Sequence, residues 1–129
     1  MNQKNILVVE DEQSLSDAIS TKLTKSGYKV MTAASVEDAL KELEANTIDV
    51  IWLDHYLLGN ASGLDLVAKI KEHDGKWEKI PIFLVSNTAS LDKVNTYIRL
   101  GVKKYYVKSD HRLDEIIKDI ENYLEKGEE

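Results

Sequence analysis

The sequence of 129 residues contains no cysteine, which excludes disulfide bonds, thiolate metal ligands and cysteine nucleophiles. It has one proline and no Gly/Ser-rich stretch, so nothing in it is typical of a linker. We therefore expect a single domain over residues 1–129, with a core from about residue 4 to residue 126. No apolar run approaches the roughly 20 residues that span a bilayer, and the first residues are unlike a signal peptide. These absences predict a soluble cytoplasmic protein that does not contact a membrane.

Positive charge is also scarce, because 17 lysines and arginines face 23 aspartates and glutamates for a net charge of −6. An acidic balance argues against direct, surface-wide binding of nucleic acid. The hydrophobic fraction of 43% is ordinary for a globular protein, which argues against a disordered or fibrous chain.

The hydrophobic pattern alternates between two periods along the whole chain. Short apolar runs typical of buried strands occupy residues 6–9, 28–33, 48–53, 80–85 and 105–107. Apolar residues at helical spacing occupy residues 15–23, 36–43, 64–70, 91–98 and 113–124. Five strands alternating with five helices predict an α/β fold, in which helices cover both faces of a doubly wound, five-stranded parallel sheet.

Chemically active side chains follow four of the five predicted strands. Glu10 and Asp11 follow the first strand, Asp54 the third, Ser86 the fourth and Lys108 the fifth. Ligand sites of such sheets lie at the carboxyl ends of the strands, so we expect these groups to converge. Three carboxylates repel one another unless a hard cation such as Mg²⁺ is bound, and a lysine can pair with a phosphoryl group. An aspartate can itself be a nucleophile, so the set indicates metal-assisted phosphoryl transfer to Asp54.

Four segments with these residues, in this order, resemble the receiver domain of two-component response regulators, in its stand-alone, chemotaxis-regulator-like form. They are residues 8–12, 50–54, 80–86 and 101–108, and the resemblance extends over almost the whole chain. It implies a flavodoxin-like sheet with the strand order 2-1-3-4-5.

The resemblance also implies how the acidic residues work. Asp54 would be the phosphoacceptor, taking a phosphoryl group from a phosphohistidine on a sensor histidine kinase or a phosphotransfer protein. Glu10, Asp11, Asp54 and the backbone carbonyl of Tyr56 would hold Mg²⁺ or Mn²⁺. The chain would not be an enzyme in the usual sense, because it would only catalyse its own phosphorylation and slow dephosphorylation.

The remaining site residues are expected to bind the phosphoryl group and to transmit the change. By the resemblance, Ser86 and Lys108 bind the phosphoryl group, and Ser86 and Tyr105 form the switch. Asn87 and Thr88 would modulate access to Asp54, since Asn87 is bulkier than the small residue usual in the family. In a simpler interpretation, Ser86 and Thr88 cap the fourth helix and Tyr105 only packs.

The expected output surface is the face made by the fourth helix, the fifth strand and the fifth helix. We expect it to bind a downstream protein or a second copy of the chain, and not nucleic acid. Aromatic and basic side chains expected there are Tyr97, Arg99, Lys103, Lys104 and Tyr106. In a simpler interpretation, Tyr97 and Tyr106 are packing or surface residues rather than binding anchors.

Three other functions compete with this interpretation. The first is a receiver-like interaction module in which phosphorylation is vestigial. The second is a phosphatase with an aspartyl nucleophile, which usually needs a second aspartate where this sequence has Tyr56. The third is a flavin or nucleotide binder, which needs a Ser/Thr/Gly-rich loop after the first strand, where the acidic residues 10–12 would repel phosphate.

Overall fold

The computed structural model describes residues 3–54, 63–72, 75–86, 91–107 and 111–126. Helices and strands alternate along this part of the chain, as the hydrophobic pattern predicts. In chain order they are β1 (Asn5–Val9), α1 (Gln13–Lys25), β2 (Lys29–Ala33), α2 (Val36–Ala45), β3 (Val50–Leu53), α3 (Gly63–Ile70), β4 (Ile82–Ser86), α4 (Leu91–Leu100), β5 (Lys104–Val107) and α5 (Leu113–Lys126).

The five strands form one parallel sheet in the order β2-β1-β3-β4-β5. This order confirms the predicted doubly wound, flavodoxin-like fold. Val9 pairs with both Ala33 and Leu53, and Leu53 pairs with Leu84, so the carboxyl ends of the central strands are level with one another. Residues that directly follow these strands are therefore brought to one edge of the sheet.

Each face of the sheet packs against its own set of helices. One core layer joins the sheet to α2, α3 and α4, and it contains Leu53, Leu66 and Tyr97. The other layer joins the sheet to α1 and α5, and it contains Ile19 and Ile116. Within the described ranges, no helix is long and apolar enough to cross a membrane.

Local signals in the sequence set several helix ends. The Ser35 hydroxyl accepts a hydrogen bond of 3.1 Å from the backbone N–H of Asp38, which caps the first turn of α2. Gly27 after α1 and Gly101 after α4 adopt φ angles of +100° and +112°, a conformation that other residues rarely adopt. Ser35 thus caps α2, and Gly27 and Gly101 lie just after the ends of α1 and α4.

Two strands begin two residues later than the apolar runs indicate. β3 begins at Val50, and just before it the Asp49 carboxylate accepts the backbone N–H of Asn5 at 2.8 Å while the Asp49 N–H donates to the Asn5 carbonyl at 2.9 Å. β4 begins at Ile82, since Pro81 has no N–H to donate to a neighbouring strand. β4 also extends to include Ser86, which the sequence placed just after it.

The buried stripes of two helices also differ from the predicted ones. In α4, Tyr97 is fully buried and Ile98 is 56% exposed, although the apolar spacing indicated Ile98 as the core residue. Successive helical residues point about 100° apart, so burial of Tyr97 turns Ile98 toward solvent. In α1, Ser16 is buried and Ala18 is exposed. A small hydroxyl side chain thus occupies a core-facing position that a hydrophobic pattern does not reveal.

Candidate functional site

Glu10 and Asp54 are held in place by the backbone of the sheet. Glu10 directly follows β1, and its N–H donates to the carbonyl of Ala33 at 2.9 Å. Asp54 directly follows β3, and its N–H donates to the carbonyl of Val9, also at 2.9 Å. Both bonds extend the hydrogen bonding between neighbouring strands by one residue beyond the strand ends. The two side chains therefore start from neighbouring, well-defined points on the carboxyl edge.

The structure brings three of the predicted metal ligands together. One carboxylate oxygen from each of Glu10, Asp11 and Asp54 lies within 4.8 Å of the other two. Glu10 and Asp54 are only 3% and 5% exposed, whereas Asp11 is half-buried. Glu10 Oε2 also accepts the backbone N–H of Glu12 at 3.2 Å, which helps to orient this carboxylate.

This arrangement fits a hard divalent cation. Three carboxylates at such short separation repel one another, and burial of two of them strengthens the repulsion. Oxygen ligands of this kind are the ones that Mg²⁺ and Mn²⁺ prefer. The acidic cluster of Glu10, Asp11 and Asp54 could therefore bind a divalent metal.

Ser86 lies at the same edge of the sheet as the acidic cluster. It is the last residue of β4, is fully buried and pairs with Val107 of β5. In the chain, Lys108 comes directly after Val107. Lys108, Tyr56, Asn87 and Thr88 lie outside the described residues, so their roles stay predictions.

Tyr105 lies on β5, one strand beyond Ser86. Its ring is half-buried and packs against the core layer that contains α4 and Tyr97. The Tyr105 side chain therefore lies on the face of the sheet that is covered by α4. Its role as a switch stays a prediction.

Two other aromatic side chains are not where the sequence interpretation placed them. Tyr97 and Tyr106 were expected on an exposed partner surface, but they are 0% and 3% exposed. The Tyr106 hydroxyl donates to Asp119 Oδ2 at 2.6 Å, and this side chain packs in the layer with α1 and α5. Burial, and then the bond to Asp119, raise the pKa of Tyr106 well above its usual value of 10.0. The expectation of exposure was wrong for both, because each ring fills space between the sheet and a helix.

Sequence reasoning treated Trp52 only as part of a buried strand. The structure shows that Trp52 is fully buried and that its indole N–H has no acceptor among the described residues. One feature of the sequence could have indicated a buried polar group here: Trp52 has a polar N–H and lies inside the apolar run before Asp54.

Comparison with known proteins identifies the class to which this fold and site belong. Residues 6–121 match the family model of the response regulator receiver domain. The chain therefore belongs to this family. Receiver domains are signalling modules rather than classical enzymes, and they interact with histidine kinases and with downstream partners.

Curated relatives differ in how much of their length the chain covers. The chain is 30% identical over 104 residues to the chemotaxis protein CheY1 of Helicobacter pylori, covering 80% of this chain and 83% of that protein. It is 33% identical over 116 residues to the transcriptional regulatory protein YvrH of Bacillus subtilis. That match covers 88% of this chain but only 46% of YvrH, so the chain spans about half the length of this relative.

A solved structure supports the fold independently of the site. The receiver domain protein of Methanospirillum hungatei, described as CheY-like, superposes with a TM-score of 0.86. The match covers 97% of this chain and 96% of that one, at 22% sequence identity. At this level of identity the similarity establishes the fold alone.

Proposed function

We propose that Asp54 accepts a phosphoryl group from a phosphohistidine of a sensor histidine kinase or phosphotransfer protein. The observation that carries this proposal is the acidic cluster of Glu10, Asp11 and Asp54 on the carboxyl edge of a receiver sheet. In the transfer, a carboxylate oxygen of Asp54 forms a bond to phosphorus while the phosphorus–nitrogen bond of the donor breaks. The departing imidazole keeps the electron pair and takes a proton from solvent.

In this proposal the acidic residues prepare the site for an anionic donor. Glu10, Asp11 and Asp54, with the backbone carbonyl of Tyr56, would hold Mg²⁺ or Mn²⁺. A bound Mg²⁺ would neutralise negative charge on the phosphoryl oxygens. The burial of Glu10 and Asp54 supports the proposal, because charges act more strongly on one another where water is excluded.

The phosphoryl group itself would be bound by Ser86 and Lys108. The ammonium group of Lys108 would act as a point charge, and the Ser86 hydroxyl would donate a hydrogen bond to a phosphoryl oxygen. The position of Ser86 supports this role, since it is the last residue of β4 and lies at the carboxyl edge of the sheet. Asn87 and Thr88 would modulate access to Asp54.

The signal would leave through α4, β5 and α5. A shift of Ser86 toward the phosphoryl group would alter the packing around Tyr105. The exposed side chains of Ile98, Arg99 and Lys104 support this face as the surface for a downstream protein or a second copy of the chain. YvrH carries the name of a transcriptional regulator, but we propose that this chain, with its charge of −6, acts in the cytoplasm through proteins and not through nucleic acid.

Labelling with a small phosphodonor tests this function. Wild-type protein incubated with acetyl phosphate and Mg²⁺ is expected to gain the mass of one phosphoryl group, and a chelator should prevent the gain. Asp54→Asn should not be labelled, whereas Asp65→Asn, a change of an exposed aspartate on α3, should be labelled normally.

The alternatives predict different results, and the phosphatase needs a second assay. An unlabelled wild-type protein would support an interaction module with vestigial phosphorylation. Continuous release of phosphate from a phosphate monoester would support an aspartyl-nucleophile phosphatase instead.

A further inference from the structure

A groove runs between β5 and α5, at the edge of the sheet that is farthest from β2. It consists of two cavities with volumes of about 490 Å³ and about 420 Å³. The two cavities adjoin, because Lys104, Asp119 and Asn122 line both of them. Along α5 the groove extends from Glu115 to Lys126, which at about 1.5 Å per residue corresponds to roughly 16 Å. We refer to it as the β5–α5 groove.

Positive charge is concentrated in the β5–α5 groove. Among the described residues that line it, the charged ones are four lysines and two acids, namely Lys103, Lys104, Lys118, Lys126, Glu115 and Asp119. With His111 neutral, four positive and two negative charges give +2, whereas the whole chain carries −6. All four lysines are exposed, so a partner in solution can reach them. The groove is therefore a cationic region of an acidic protein.

The two acids of the groove already have partners within the fold. Asp119 accepts the Tyr106 hydroxyl at 2.6 Å, and its Oδ2 lies 3.4 Å from the Lys104 ammonium. Glu115 accepts the backbone N–H of Arg112 at 3.0 Å. Contacts within the fold thus engage both negative charges of the groove.

The lysines remain able to bind a partner. Lys118 and Lys126 form no ion pair with any residue in the described ranges. The Lys103 ammonium lies 5.2 Å from the centroid of the Tyr123 ring on α5. This cation–π contact holds the Lys103 side chain at the wall of the groove, and the residue is still exposed.

The spread of these charges favours an acidic protein segment over a small anion. An exposed ion pair contributes at most about 1 kcal/mol in water, so one small anion would bind weakly. A segment with several carboxylates can contact several lysines at once, and about five extended residues span roughly 16 Å. A nucleic acid has the right sign of charge, but its longer backbone would also face the negative charge on the rest of this protein.

We propose that the β5–α5 groove binds an acidic segment of a downstream protein, whose carboxylates contact the lysines of the groove. This inference rests on the proposed function, because it names the partner chemistry for one part of the proposed output surface. It assigns the contact to β5 and α5, since no described residue of α4 lines the groove.

A peptide titration followed by nuclear magnetic resonance tests this proposal. The probe is a six-residue peptide of alternating glutamate and alanine with blocked ends, and the control peptide has glutamine in place of each glutamate. At low ionic strength, the glutamate peptide should shift the backbone amide signals of Lys104, Asn122 and Lys126 in a saturable manner. The glutamine peptide should bind about tenfold more weakly or worse, because it lacks the negative charges.

Lysine variants test where the peptide binds. Lys118→Gln and Lys126→Gln should each weaken binding of the glutamate peptide about threefold, the effect of losing one exposed ion pair. Lys29→Gln is the matched control, because it changes the net charge equally at an exposed position on β2, the opposite edge of the sheet. It should bind like the wild type. All three side chains are exposed, so the variants should keep the fold.

Equal binding of the two peptides would overturn the proposal, and so would an equal loss of affinity in all three variants. Tighter binding of a single-stranded hexanucleotide at the same signals would assign the groove to nucleic acid instead. Shifts of these signals on dilution of the protein alone would assign it to a second copy of the chain. No phosphodonor is present in this titration, so labelling of Asp54 by acetyl phosphate tests the proposed phosphotransfer separately.

Discussion

At the scale of single residues, Asp11 is the member of the acidic cluster best suited to a test of metal binding. Glu10 and Asp54 are almost completely buried, so replacing either one also disturbs the core. Asp11 is half-buried, yet its carboxylate lies within 4.8 Å of the other two. A change at Asp11 therefore alters the charge of the cluster with little effect on packing.

We expect Asp11→Ala to abolish Mg²⁺-dependent labelling by acetyl phosphate and to leave the fold intact. Without metal, the variant should be more stable than wild type by about 0.5 kcal/mol, because one of three like charges is removed. Labelling is followed by intact mass, and the free energy of unfolding by urea titration with a chelator present. Glu12→Ala, which removes an exposed carboxylate outside the cluster, is the control and should keep normal labelling. Wild-type labelling of Asp11→Ala would show that the metal assignment is wrong.

Tyr106 connects the protonation of a single residue to the stability of the fold. Burial and the hydrogen bond to Asp119 raise the pKa of its phenol in the folded state, so the folded protein keeps a proton that the unfolded chain loses near pH 10. The resulting stabilisation is fully present below the pKa of the unfolded state. It is lost progressively as the pH rises from there toward the pKa of the folded state.

Replacing Tyr106 with phenylalanine should therefore have an effect that depends on pH. At pH 7, Tyr106→Phe should lower the free energy of unfolding by about 2 kcal/mol, the usual value of a hydrogen bond to a charged acceptor. Above pH 10 the difference from wild type should shrink, by up to about 1.4 kcal/mol per pH unit. Urea titrations from pH 7 to about pH 11 measure it, since the other titrating groups are common to both proteins. A difference that stays constant across this range would contradict the role assigned to the Tyr106 phenol.

At the scale of helices and strands, the ends are set partly by local signals and partly by neighbours. Ser35 caps α2 through a hydrogen bond within four residues of chain, and the sequence alone indicates it. Just before β3, by contrast, Asp49 bonds to Asn5, a residue that is far from it in sequence. Local signals can be recognised in the sequence, whereas bonds between distant residues form only when the sheet brings those residues together.

The cap of α2 predicts a defined loss of stability. Ser35→Ala should lower the free energy of unfolding by about 1 kcal/mol, because the N–H of Asp38 loses its acceptor. Ser35→Asn provides another side-chain acceptor and should remain close to wild type. Thermal or urea unfolding measures both variants. Equal losses for alanine and asparagine would mean that the hydroxyl does not act as a cap.

At the scale of the whole molecule, the two faces of the sheet are covered by different helices. Tyr105 and Tyr97 pack in the layer with α4, whereas Tyr106 packs in the layer with α5. Successive side chains of β5 point to opposite faces of the sheet, so they reach both layers. β5 is also an edge strand, so it borders the exposed surface. A rearrangement at the end of β4 can therefore reach α4 through Tyr105.

Binding of a phosphoryl mimic should reveal this path. With beryllofluoride and Mg²⁺, backbone chemical shifts should change around the acidic cluster and also across residues 91–107. Phosphorylation shifts the equilibrium between two conformations only as far as the phosphoryl group favours one of them. The size of the chemical-shift changes in residues 91–107 therefore reports how far that equilibrium moves. Asp54→Asn is the control and should show no such changes. Changes confined to the loops around Asp54 would exclude the switch and favour a phosphate sink or a passive scaffold.

The sequence by itself determined the type and order of the helices and strands, because hydrophobic periodicity and capping are local properties. It also indicated that Glu10, Asp11 and Asp54 would meet, since residues that follow parallel strands share one edge of the sheet.

Only the tertiary structure decided which side chains face the core. In α4, Tyr97 is buried and Ile98 is exposed. Both side chains are hydrophobic enough for the buried face of the helix, so only the packing of α4 against the sheet determines which of them it is. The bond of Tyr106 to Asp119 depends on groups from different strands and helices, and so does the lack of an acceptor for the Trp52 indole N–H among the described residues. Such pairings have no signature in local spacing, so they become visible only when distant parts of the chain are brought together.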